Sequence, residues 1–158
     1  MAALYPFVLF LHALTRWIVL IGGLWLLVAA ASSTGHRGAT AEAPVRAPWK
    51  VYMGGLHLQL LLGVLLLFIS PLAQASWGDM ATAMRVRPMR FFIVEHTTMM
   101  IVALAVAQWG SIKSRQAIDA GRSARTSLIF AVVSLLLILA AIPWPFMGEI
   151  ARPWLRSW

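Results

Sequence analysis

Four stretches of this chain stay apolar for about 20 residues or more, and very few folds can absorb that pattern. They cover residues 6–31, 49–70, 89–112 and 127–146. The hydrocarbon core of a bilayer is about 30 Å thick, a depth that a helix crosses in roughly 20 residues. In lipid every backbone polar group must be bonded within the protein, so runs of this length are helical. Breakers bound them. Pro6 suits a first helical turn, the Ser32-Ser33-Thr34-Gly35 cluster ends the first run, and Pro71 stops the second. Pro88 opens the third, Lys113 and Arg115 close it, and Pro143 and Pro145 fall at the end of the fourth. The expected fold class is all-α, an integral membrane four-helix bundle forming one domain over residues 1–158, with the lipid bilayer as its principal partner.

Composition agrees with that reading. The chain is 61% hydrophobic and only 11% charged, against about 45–50% and 25% in soluble domains. The first run lacks a basic leader and is too long for the core of a signal peptide, so it is expected to be retained as a helix. A net charge of +8 does not point to nucleic acid, because the basic residues sit in short segments between apolar runs, as orienting charges do. Arg37, Arg46, Lys50, Lys113, Arg115, Arg122 and Arg125 gather on one side, against Arg85, Arg87, Arg90, Arg152 and Arg156 on the other. The positive-inside rule then puts both termini on the outer side of the membrane. Trp49, Trp77, Trp109, Trp144, Trp154 and Trp158 fall near span ends and read as interfacial anchors.

The absence of cysteine excludes disulfides, thiolate metal sites, iron–sulfur clusters and covalently attached haem. No phosphate-binding glycine loop, H-E-x-x-H motif or nucleophile elbow is present, and no residue stands out as a substrate-transforming group. The first loop, with Gly35, Gly38, Pro44 and Pro48, reads as a connector, and His36 within it as solvated.

Chemistry is therefore sought in the polar residues that interrupt the spans: His12, Arg16, His57, Glu95 and His96. Ionisable groups at membrane depth are expensive and face the bundle interior with partners. His12 and Arg16, four apart, share a helix face, and Gly23 lies on nearly the same stripe, where it admits a neighbour or a flat ligand. His57 shares a face with Gly54 and Met53, while His96 lines up with Met99, Met100 and Ala103, and Glu95 is turned about 100° away. His12 and His96 each lie six or seven residues from the outer ends of their spans, roughly 10 Å deep, and His57 lies roughly 20 Å deep.

Imidazoles from two helices at one depth are what a bis-histidine b-type haem requires, and a buried arginine suits a haem propionate. The alternative is that the histidines bind helices together and Arg16 pairs with Glu95. Met99 and Met100 read as packing residues, although methionine is also an axial haem ligand.

The segments Leu11-His12-Ala13-Leu14-Thr15-Arg16-Trp17, His57-Leu58-Gln59-Leu60-Leu61-Leu62-Gly63 with Ile69-Ser70-Pro71, Arg90-Phe91-Phe92-Ile93-Val94-Glu95-His96 with Met99-Met100, and Ile142-Pro143-Trp144-Pro145-Phe146 resemble a family of small bacterial four-helix membrane proteins labelled cytochrome b-like. The likeness covers roughly residues 6–148. It implies haem b and electron transfer, and it puts His12, His57 and His96 at the family's histidine positions without assigning ligand pairs.

Three functions remain open at this point. One is a b-type haem protein, with one haem or two, exchanging electrons with a quinone or a redox partner protein, His12, His57 and His96 being the candidate iron ligands and Arg16, Gly23, Gly54, Glu95 and Met100 lining the cofactor. Another is a copper or zinc protein using histidine and methionine. The third is a non-catalytic subunit of a larger respiratory or photosynthetic complex, or an oligomer, its polar residues serving as glue between helices.

Overall fold

The computed structural model describes residues 4–35 and 43–154; the readings of His36, Arg37, Gly38, Arg156 and Trp158 fall outside them. Among the described residues the chain is helical throughout and contains no strand. Four helices are long and apolar enough to cross a membrane: α1 (Leu4–Ser33), α2 (Ala43–Ile69), a third running Arg87–Arg115, and α7 (Ala120–Ala141). Between α2 and the third lie two short helices, α3 (Pro71–Gly78) and α4 (Met80–Arg85). The third itself comprises α5 (Arg87–Arg90), a π-helical stretch Phe91–Glu95 and α6 (His96–Arg115).

The helices are longer than the apolar runs because capping and lipid-like composition are different signals. Asp119 accepts a hydrogen bond from the Arg122 amide at 2.7 Å and starts α7 two turns before the apolar stretch. The same helix ends at Ala141, short of the expected residue 146, because Ile142 precedes Pro143 and takes an extended conformation. At the start of α2 the expected connector is helix: Pro48 lies inside it and is fully buried. The bond Pro48 forfeits is to the carbonyl of Pro44, in the first turn. Pro71, which stops α2, opens α3 at its first turn. Asp79 caps α4, and bonds from the Thr82 hydroxyl and amide hold its carboxyl below the usual carboxylate range.

Small residues decide how the helices pack. On α6, Ala103, Ala107, Gly110, Ser111 and Ser114 are buried; facing them on α7 are Ala120, Ser123, Ala124, Ser127, Ala131 and Ser134. Such stripes let helix backbones approach closely. A Cβ added at Gly110 would lie 2.2 Å from the Cβ of Phe130. On the other side of the bundle, Gly22 of α1 meets the backbone of Tyr52, and Gly55 of α2 meets Val19. Several serine hydroxyls in this contact are partnered. Ser114 bonds Ser123 at 2.9 Å and Ser127 at 2.8 Å, the Trp49 indole N–H donates to Ser127 at 2.9 Å, and the Tyr52 hydroxyl bonds Ser134 at 2.8 Å.

The outward faces are apolar instead. Ile21, Leu61, Phe68 and Leu136 are each more than 60% exposed, as expected of helices long and apolar enough to cross a membrane.

Gly110→Ala should lower stability by about 1–3 kcal/mol through overpacking against Phe130. Gly54→Ala, where an added Cβ meets nothing within 4 Å, should leave the thermal midpoint unchanged or slightly raised. Equal midpoints for the two variants would mean that the α6–α7 contact is not close.

Candidate functional site

One end of the bundle encloses a cavity of about 270 Å³ between α1, α2, the third helix and the segment that follows α7. Most of its wall is apolar, with Leu9, Leu56, Leu67, Ile93, Leu104 and Ile138 among the lining residues. The polar groups that line it are few: Tyr5, His12, Arg16, Gln59, Ser70, His96, Thr97 and Arg152. A largely apolar pocket with a small set of convergent polar groups is the usual form of a ligand or cofactor site.

His12 and His96 face each other across this space. Their ring centroids are 6.3 Å apart and the planes lie at 69°. His96 is oriented from behind: its Nδ1–H donates to the carbonyl of Ala141 at 2.8 Å. That carbonyl is accessible because α7 ends there, its last oxygens having no helical partner. With Nδ1 committed as donor, Nε2 of His96 is the acceptor, the tautomer a metal ligand needs. The Nδ1 of His12 is buried without a hydrogen-bond partner among the described residues. One turn deeper, the Thr15 hydroxyl bonds the Gln59 side chain and ties α1 to α2 beside the cavity.

The π-helical stretch directly before His96 helps to aim it. There the His96 amide bonds the carbonyl of Phe91, and the Thr97 hydroxyl bonds the carbonyl of Phe92 at 3.0 Å. Such a segment shifts the face a helix presents and recurs at functional sites. Phe91 and Phe92 flank the His96 ring at 6.0 and 6.3 Å.

Two arginines reach the same cavity. Arg16 donates from Nη2 to the carbonyl of Trp154 at 2.6 Å, its guanidinium lies 5.5 Å from the Trp17 ring centre, and its Nε is buried without a partner among the described residues. Arg152 lies over the Phe92 ring at 4.6 Å. It arrives there because the segment after α7 folds back: Gly148 turns the chain in the left-handed region, and the Arg152 amide bonds the carbonyl of Pro143 at 3.0 Å. Trp154 then packs between Trp17 and Trp144, with ring centres 6.1 and 5.3 Å away.

The remaining candidates from the sequence are dispersed. His57 is exposed on α2, donates to the Met53 carbonyl at 2.8 Å and does not line the cavity. Gly54 is likewise exposed and opens onto nothing within 4 Å. Gly23 is buried, but a Cβ there would meet Leu135 at 2.7 Å and Tyr52 at 3.0 Å, so its space is filled by helix packing. Glu95 pairs with Arg90 at 2.8 Å, not with Arg16. Met100 lines the cavity one turn from His96, whereas Met99 does not.

Arg152, Gln59 and Thr97 line the site although the sequence did not single them out. Arg152 was legible in one respect. It follows the fourth span at the end where His12 and His96 lie, and only the fold-back of the tail brings it inward.

The donor set fits a haem. His12 and His96, contributed by two helices with ring centres 6.3 Å apart, are the residues that would hold its iron. Among the described residues no group of three His, Cys, Asp or Glu side chains could hold a metal ion. A porphyrin asks the protein for two axial ligands only, whereas a bare zinc site asks for three or four. Arg16→Leu should release the tail from α1 and give several-fold faster chymotryptic cleavage after Trp154. Unchanged cleavage would show that the tryptophan contacts hold the tail unaided.

No family model, no curated protein and no solved structure matches this chain, so its chemistry rests on the side chains of this cavity.

Proposed function

We propose that this chain is a multi-pass membrane protein that binds haem b and passes electrons, with His12 and His96 as the residues that would hold its iron. One observation carries the reading: imidazoles from two different helices oppose each other across an apolar cavity at 6.3 Å, and one of them is already oriented by a backbone carbonyl. The resemblance to cytochrome b-like membrane proteins points the same way.

A haem held there supplies a one-electron couple, and quinones or redox proteins are the partners that couple serves. The chain's own residues do the rest. The Ala141 carbonyl fixes the ring orientation and tautomer of His96. Arg16 and Arg152 offer positive charge at the cavity wall, suited to the two haem propionates, and their charge favours the reduced state. The apolar lining keeps water out. His57, exposed on α2, is outside this ligand set.

The second reading is a copper site formed by His12, His96 and Met100. Its support is that Met100 lines the same cavity one turn from His96, giving a soft donor beside two imidazoles.

Both readings place the protein in a bacterial inner membrane with its termini outside, on the basis of the exposed apolar faces and the distribution of basic residues. A reporter fused after Ser114 should accordingly read cytoplasmic; a periplasmic signal would invert the topology.

Detergent-purified protein should show the spectrum of a six-coordinate, low-spin haem b. His12→Ala and His96→Ala should each abolish it, and His57→Ala should leave it recognisable. Loss with His57→Ala and retention with His12→Ala would overturn the ligand pair. A preparation that stays colourless after expression with ample haem, and cannot be reconstituted, would overturn the haem reading; metal analysis of that sample then tests for copper.

A further inference from the structure

The opposite end of the bundle holds a second cavity that the haem reading leaves unused. It has about 240 Å³ of space and lies between the N-terminal turns of α2 and the C-terminal turns of α6. Lys50 and Arg46 stand on the α2 side, and Arg115, Gln108 and Ser111 on the α6 side. Trp49, buried and tethered to Ser127, is part of its wall, and Met53 lines it on the bundle side.

Among the described residues, none that lines this cavity is acidic. Of the five acidic residues, Asp79, Glu95 and Glu149 belong to the other end, Asp119 caps α7, and Glu42 lies outside the described residues. The Nε of Arg115 donates to the Ser111 carbonyl at 3.3 Å, which sets the base of the guanidinium against α6 and leaves its terminal nitrogens to other partners. Lys50 is exposed and has no carboxylate partner among the described residues.

We infer that this cavity binds the phosphodiester headgroup of an anionic phospholipid, held by Lys50 and Arg115 with Gln108 and Ser111 as hydrogen-bond donors. The inference rests on the membrane reading and is independent of the haem. Three features favour a lipid over free phosphate. The cavity lies where α2 begins and α6 ends, the level of headgroups for helices of this length. Its inner wall is apolar, suited to glycerol and the first acyl carbons. The basic side of the chain is also the side that faces the anionic cytoplasmic leaflet under the proposed topology, where basic pockets between helices take lipid headgroups.

The test uses the full chain, delipidated in neutral detergent and returned to nanodiscs, with bound lipid counted by native mass spectrometry. Phosphatidylglycerol should be retained in preference to phosphatidylcholine. The double variant Lys50→Gln/Arg115→Gln should weaken that retention about 30-fold, each basic residue contributing about a factor of five. Lys113→Gln/Arg125→Gln removes two cations from the same end but outside the cavity, and should change little. Lys50→Arg/Arg115→Lys keeps the charge and should restore most of the retention, which separates lost binding from lost folding.

Equal loss in the Lys113/Arg125 variant would overturn the site in favour of diffuse surface charge. Inorganic phosphate that displaces the lipid at equal concentration would overturn the lipid as ligand. A chain that stays soluble without detergent would instead overturn the membrane reading, before any lipid is added.

Discussion

The close contact between α6 and α7 organises this molecule. Alanine, glycine and serine line both helices there, and the absence of a side chain at Gly110 seats Phe130 directly against the α6 backbone. Because lipid-like surroundings give no hydrophobic drive between apolar helices, close packing and interhelical hydrogen bonds hold such a bundle together. Ser114, Ser123 and Ser127 supply those bonds and recruit Trp49 from α2, so the tight seam on one side also fixes the helix opposite. Tyr52 does the same one turn along, through Ser134.

What the seam closes at one end it leaves open at the other. Beyond Ala103 the third helix presents Met100, Thr97 and His96 instead of small residues, and the bundle encloses a cavity there. The end of α7 at Ala141 then has two consequences. It leaves a backbone carbonyl with no helical partner, which His96 takes, and it releases a segment that folds back to bring Arg152 over Phe92 and Trp154 over α1. Proline at 143 is the common cause, since it cannot continue the hydrogen-bond ladder.

Charge is divided along the same axis. At the end with the two histidines, Glu95 is engaged by Arg90 and the arginines Arg16 and Arg152 face the cavity. At the other end Lys50 and Arg115 line a separate basic recess. The proposed cofactor site and the proposed lipid site thus use one surplus of positive charge in two ways: inside an apolar cavity, where each charge counts strongly, and at a headgroup level, where it is screened.

The sequence by itself determined the four long helices, since no other backbone arrangement satisfies runs of about 20 apolar residues. It also determined that His12 and His96 stand at one depth, because depth follows from helix rise alone. Where the helices end was only partly legible: hydropathy marks the apolar stretch, while Asp119 and the buried Pro48 lie outside that signal. Which face each residue presents was decided by the tertiary structure. Gly23 is spent on Leu135 and Tyr52, His57 turns outward, Glu95 goes to Arg90, and Arg152 comes in from the tail. Rotation about a helix axis costs a uniformly apolar helix very little, so the sequence leaves it nearly free. Only the interlocking of particular side chains, and here a π-helical turn before His96, selects one setting.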